Sequence, residues 1–172
     1  MNDERMGAAF ELNAADLLRY FARRVADAED AADLLGETME TAWRKARVLP
    51  ADPAEARMWL FGIARNKLMH HGRALRRRLA AASVLAHTLA DDLAHDPSTD
   101  DAVIEVRLAV AALPAELGEL VRLIHWDGFS AAEAAALLGI PATTARSRHA
   151  RARQLLETAL ADRKGSQAAR IG

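Results

Sequence analysis

The sequence predicts an all-α fold: two small helical domains joined by a flexible acidic linker, the second of them built around a helix-turn-helix. Three observations carry that prediction. Alanine and leucine dominate the 172 residues, aromatics make up 5%, and no window shows the strict alternation of a half-buried strand. Helix-starting and helix-stopping residues recur at intervals that suit short helices. Charge is segregated, with no acid from residue 56 to residue 90 and then the run DDLAHDPSTDD centred on Pro97 and Ser98. The expected division is residues 1–79, a linker at 80–100, and residues 101–172.

In chain order, Asn13 is expected to cap a first helix whose apolar positions Leu17, Phe21 and Val25 follow at helical spacing. A second helix starts near Asp27, with Glu29 and Asp30 at the positive end of its dipole. Its expected inner stripe is Ala31, Leu34, Leu35, Met39, Ala42, Trp43 and Ala46, and its opposite face carries Asp33, Glu37, Glu40 and Arg44. That acidic face suits a partner protein. Val48 to Pro53 reads as a loop, and Asp52-Pro53-Ala54-Glu55 restarts a helix with a cap, a proline in the first turn and an acid behind it. The third helix contains Arg57 to Arg78, with Trp59, Leu60, Ile63 and Ala64 inward and Arg65, Lys67, Arg73 and Arg76 to Arg78 elsewhere; Gly62 and Gly72 weaken it locally. After the linker, Asp101 to Ala112 forms a helix that stops before Pro114, and Pro114 opens another with Leu117, Leu120, Val121 and Ile124 inward and Gly128 at its close.

The stretch from Ser130 to Leu156 then reads as two helices and a tight turn. Ser130 and Glu133 have the spacing of a capping box, Gly139 supplies a left-handed helix end, and Pro141 suits the start of the next helix. In that last helix Ala145, Ala152, Leu155, Leu156 and Ala159 fall inward, while Thr143, Arg146, Ser147, Ala150, Arg151 and Gln154 share the outer face. Composition alone also fits a solvated helix with arginines for solubility. Two details favour a DNA-reading surface: no acid lies between Glu133 and Glu157, and the basic helix follows a short helix and a glycine turn. Such a face offers arginines to guanine edges and to phosphates. The tail DRKGSQAARIG lacks periodicity and reads as frayed.

Other classes fall away. Without cysteine there are no disulfides or thiolate metal sites, and the six histidines lack metal-ligand spacing. No apolar run nears the roughly 20 residues that span a bilayer, and MNDERMGAAFEL is too acidic for a signal peptide, so a cytoplasmic location is expected. No nucleophile with a base and no phosphate-cradling glycine loop appears, so no enzyme and no cofactor are expected. Behind the net charge of -1, two cationic stretches are separated by an anionic one, and because acids nearby oppose phosphate binding, weak DNA binding by the isolated chain is expected.

The order of these features resembles the bacterial RNA polymerase sigma factors of the sigma-70 family, in the small extracytoplasmic-function group, over residues 14 to 160. AEDAADLLGETMETAW is similar to the stretch that docks on the polymerase clamp helices, WLFGIARN with its basic continuation to the stretch that reads and melts the minus-ten element, and Leu113 to Leu156 to the domain that reads the minus-thirty-five element. The resemblance implies a core-polymerase interface at Asp30, Asp33, Leu34, Glu37, Glu40 and Trp43. It implies minus-ten contacts at Trp59, Phe61, Asn66, Lys67, Arg73, Arg76 and Arg77, with Asn66 helping to capture a flipped base. Trp59 and Phe61 also fit plain core positions. At the upstream element it implies Thr143, Arg146, Ser147, Arg148, Arg151 and Arg153, with Arg148 and Arg153 on the DNA backbone. Its further implications are promoter DNA, core polymerase and an anti-sigma factor as partners, without membrane insertion. The chain departs from the family pattern in the short loop VLPADPAEAR, in His70 and His71, and in His149, which stands where an apolar residue is usual. Two other functions fit parts of the pattern: a sigma-like mimic that titrates an anti-sigma factor, which has no need of the cationic face, and a helix-turn-helix repressor, which has no need of the acidic second helix or the IARN segment.

Overall fold

The computed structural model describes residues 2–82 and 101–168, all of whose regular elements are helices. They fall into two units, α1 to α3 and α4 to α7. The expected linker, residues 80–100, lies almost wholly outside the described residues, of which only the end of α3 reaches into it.

In the first unit α1 runs from Asn2 to Ala22, α2 from Ala28 to Arg44 and α3 from Pro53 to Ala82. Asn13 does not cap α1: the helix passes straight through it, the side chain is buried, and its amide donates 2.8 Å to the Ala9 carbonyl. A residue that competes with the backbone elsewhere is tolerated here because Arg57 of α3 donates to its Oδ1 at 3.4 Å. Asp27 does cap α2, accepting from the Glu29 N-H at 2.9 Å, and Asp52 caps α3, accepting from the N-H groups of Ala54 and Glu55.

The core of this unit is aromatic. Tyr20, Phe21 and Phe61 are fully buried, and Tyr20 meets both phenylalanine rings edge-on at centroid distances of 5.4 Å. Met6, Leu17, Ala31, Leu34, Leu60 and Ala64 complete it. The inner stripe of α2 is narrower than periodicity alone predicts. Thr38 is buried within it, its hydroxyl returned to the Leu34 carbonyl at 2.7 Å, whereas Met39 and Trp43 are 39% and 38% exposed. Between α2 and α3 a single 3-10 turn, Ala46–Val48, leads to Leu49, which is buried. Arg5 of α1 donates to the carbonyls of Leu49 and Pro50 at 3.4 and 3.1 Å and so holds this loop against the helix.

In the second unit α4 spans Asp101–Ala111, α5 Ala115–His125, α6 Ala131–Leu138 and α7 Ala142–Ala168. Leu117, Leu120, Val121 and Leu123 of α5 are buried; Leu123 takes the place expected for Ile124, which is half-buried. The packing partners are small: Ala134 and Ala135 on α6, Ala145 and Ala152 on α7. Alanine lets helix axes approach closely, and the short α6 needs that proximity because eight residues bury little by themselves. Both hydrogen bonds of the capping box are present, Ser130 Oγ accepting from the Glu133 N-H and Glu133 Oε2 from the Ser130 N-H. Gly139 takes φ 66°, and its N-H and that of Ile140 close the helix end on the carbonyls of Ala136 and Ala135. Pro141 sits just before α7, one residue earlier than predicted.

Two expectations for α7 are corrected. Leu155 is 39% exposed, since past Ala152 it is Leu156, among the described residues, that packs against the Val110, Leu117 and Val121 cluster. The helix also continues to Ala168 through most of the tail expected to fray.

Candidate nucleic-acid interface

The outer face of α7 is where the sequence pattern and the structure meet most closely. Ala145 and Ala152 are fully buried, and the residues half a turn away are all exposed: Thr143, Arg146, Ser147, Arg151 and Gln154. Ser147 turns its hydroxyl back to the Thr144 carbonyl at 3.0 Å, leaving the hydroxyl oxygen free to accept a second bond. Arg146 and Arg151 make no ion pair among the described residues. Arg148 and Arg153 are engaged: Arg148 reaches Glu116 on α5 at 2.7 Å, and Arg153 lies 3.5 Å from Glu157 one turn on. A phosphate contact by Arg148 therefore has to replace an existing partner. The surface opens at the start of a helix, where N-H groups and the helix dipole favour an anion.

On α3 the polar positions separate into two groups. Asn66, Arg73, Arg76 and Arg77 are exposed, Arg73 bonding to the Met69 carbonyl one turn back. Trp59 is half-buried. Phe61 is not a surface residue: it is 1% exposed, ringed by Tyr20 and capped by the Arg57 guanidinium 4.6 Å from its centroid, because two successive positions, 60 and 61, both face the helix pair beneath. It supports the unit from within.

The acidic and basic faces expected to serve different partners touch each other. Lys67 bonds Glu37 at 3.1 Å and His71 lies 3.5 Å from Asp30, so α2 and α3 run antiparallel with polar pairs along their edge. Of the expected polymerase-facing residues, Leu34 is 3% exposed and belongs to the core, where its side chain packs rather than binds. Asp33, Glu37, Glu40 and Trp43 are exposed, Glu40 holding Arg44 at 2.6 Å. With Met39 they give α2 an outer face of acids around two large apolar side chains.

One contact was not foreseen. His125, the last residue of α5, and His149 of α7 place their Nε2 atoms 2.9 Å apart. Burial, then the charges of His125 and Arg153, lower the proton affinity of His149. Its signal was present in the sequence: position 149 falls on the inward stripe with 145 and 152, so the imidazole had to face α5. No group of three or more His, Cys, Asp or Glu among the described residues could hold a metal ion, and no described helix is long and apolar enough to cross a membrane.

Comparison with known proteins gives a consistent result. A family model of sigma-70 region 2 matches residues 9–78, and one of sigma-70 region 4 matches residues 104–156. The ECF RNA polymerase sigma factor SigL of Mycobacterium tuberculosis is 33% identical over 151 residues, covering 83% of this chain and 81% of that protein. The SigC factor of the same species is 34% identical over 158 residues, covering 90% and 83%. Among solved structures, the sigma factor RpoE of Bartonella quintana, crystallised with the anti-sigma factor NepR, superposes with a TM-score of 0.68 at 27% identity over 87% of this chain and 94% of that one. CnrH in complex with the cytosolic domain of CnrY shares the fold, with a TM-score of 0.64 at 23% identity over 93% and 90%.

Proposed function

The chain belongs to the extracytoplasmic-function group of sigma-70 RNA polymerase sigma factors, and from that premise we propose that it binds core polymerase, directs it to promoters through two DNA-reading surfaces, and helps open the duplex. The observation that carries this reading is the outer face of α7, where exposed Arg146 and Arg151 stand on a helix oriented by a capping box and a left-handed glycine. A protein that only mimicked the fold would have no use for that surface.

Residues 101–172 read the upstream element, Arg146 and Arg151 at base edges and Ser147 and Thr143 beside them, with Arg153 on a phosphate and Arg148 held back by Glu116. Residues 1–79 read and melt the minus-ten element, Asn66 taking a flipped base and Lys67, Arg73, Arg76 and Arg77 the strand that carries it. Trp59 is near enough to the surface to support that base. Asp33, Glu37, Glu40 and Trp43 on α2 meet the polymerase clamp helices. The protein works in the cytoplasm, catalyses no covalent step, and is held inactive by an anti-sigma factor, as RpoE is seen bound to one.

The test is run-off transcription with core polymerase on a genomic library, followed by Arg146→Ala combined with Arg151→Ala on the promoters recovered. Upstream recognition is expected to vanish while core binding survives. Loss of core binding as well would point to misfolding and against the assignment. Asn66→Ala should slow opening on duplex DNA and leave a pre-melted template unaffected; equal slowing on both templates contradicts its role.

A further inference from the structure

His149 projects from the recognition helix toward the scaffold helix that braces it, and meets His125 at the end of α5. The rings lie 23° from parallel, yet their centroids are 5.2 Å apart while the Nε2 atoms are 2.9 Å apart, so they meet tip to tip along a hydrogen bond. Such a bond needs one nitrogen to donate and the other to accept. The pair holds it when both rings are neutral, and holds it when one ring carries the extra proton. It cannot hold it when both do, since neither nitrogen then accepts and two imidazolium tips face each other.

A second tie lies beside the first. Arg148, the residue before His149, reaches Glu116 in the first turn of α5. Two adjacent residues of α7 thus fasten it to opposite ends of α5, with Ala152 packed against Leu117 and Val121 in the same contact. The orientation of the reading face depends on this crossing, because α5 and α7 share the buried contact on which that face is mounted.

We propose that His125 and His149 form a proton-dependent clasp that positions the recognition helix, so that upstream-element recognition weakens when the second imidazole of the pair is protonated. This rests on the reading of α7 as the upstream DNA reader.

The charged groups around the pair agree with the direction. On α5, Glu116 is taken by Arg148, and Glu119 lies 3.3 Å from Arg122. On α7, Arg153 adds positive charge one turn beyond His149, with Glu157 a further turn along. On α6, Glu133 is committed to the Ser130 N-H, while α4 contributes Glu105 and Arg107, and Asp127 is buried in the turn after α5. The charges that bear on His149 are those of His125 and Arg153, and both oppose its protonation. A histidine whose neutral form is favoured by folding contributes stability that is complete above the ordinary histidine value. That contribution is lost as pH falls from there through the depressed one. The sign separates the clasp from a simpler alternative: a histidine that merely neighboured phosphate would strengthen DNA binding on acidification.

Two measurements decide it. In the full-length chain without DNA, imidazole proton and nitrogen shifts followed by NMR from about pH 7.5 to about pH 5.5 should show His125 and His149 titrating in two coupled steps. Independent single-step titrations of both rings would overturn the clasp. In holoenzyme on a promoter recovered by run-off transcription, discrimination between intact and scrambled upstream elements should fall roughly fivefold over the same interval, the lower end of ordinary site-to-site couplings. His149→Gln, whose amide can bond His125 but cannot titrate, should keep neutral-pH discrimination and remove most of the acid loss, while His149→Ala should be weaker throughout. A pH profile common to the unaltered chain and His149→Gln would overturn the positioning role. Failure of every promoter to support initiation would instead reject the DNA-reading function, leaving the imidazole titration to judge the clasp by itself.

Discussion

The two units solve the same packing problem with different materials. The first fills its centre with large rings, Tyr20, Phe21 and Phe61, and ties polar groups across its helices: the buried Asn13, and the half-buried Arg57 ion-paired to Asp16 at 3.0 Å. The second sets leucines and valines of α4 and α5, with the buried ring of Phe129, against alanines of α6 and α7, and includes one tight glycine: a methyl group on Gly118 would come 3.2 Å from the Val110 carbonyl. Rings fill space between helices that stand apart, whereas alanines bring helices together but contribute little burial each. The second unit therefore relies on close approach of its helices, and its short α6 on the closures at its two ends.

The sharpest test of that contrast is Phe61→Ala, expected to cost about 3–5 kcal/mol through the cavity left between Tyr20 and Arg57. The loss should appear in the denaturant transition of the first unit only, and a comparable shift in the second would break the comparison. Ala152→Leu should cost about 1–3 kcal/mol because α5 and α7 have no room for a larger side chain. If the melting temperature instead rises, the contact is looser than described. Removing one closure, Ser130→Ala, should cost about 1 kcal/mol, and Gly139→Ala about as much, from its left-handed backbone rather than from any clash, since nothing lies within 4 Å of the added methyl. Helicity of the second unit read by circular dichroism against temperature checks both. Smallest of all, Glu37→Gln at the exposed Lys67 pair should change stability by no more than about 0.5 kcal/mol, which equilibrium unfolding at low and high salt would resolve.

Which features could be read in advance follows from how local their causes are. The caps at Asp27, Asp52 and Ser130 and the turn at Gly139 were legible because each is settled within four residues of chain. The outer face of α7 was legible because helical period separates Arg146 and Arg151 from Ala145 and Ala152. Asn13 was misread because the residue that makes it a core group, Arg57, arrives from 44 positions away. Leu155 was misread for a related reason: periodicity gives the direction of a side chain but not where the body beneath it ends. The acidic face of α2 was foreseen, but not that Glu37 and Asp30 spend part of it on Lys67 and His71 of the neighbouring helix.

The grip of Arg5 on the loop carbonyls of Leu49 and Pro50 bears on how the first unit should be cut. The family match begins at residue 9, and a fragment trimmed to that boundary would discard both Arg5 and the fully buried Met6. The loop it would loosen runs directly into Asp52, the cap of the helix that carries Asn66. A shortened fragment could therefore be folded and still misreport promoter melting, and the first turn of α1 belongs in any excised version of this domain.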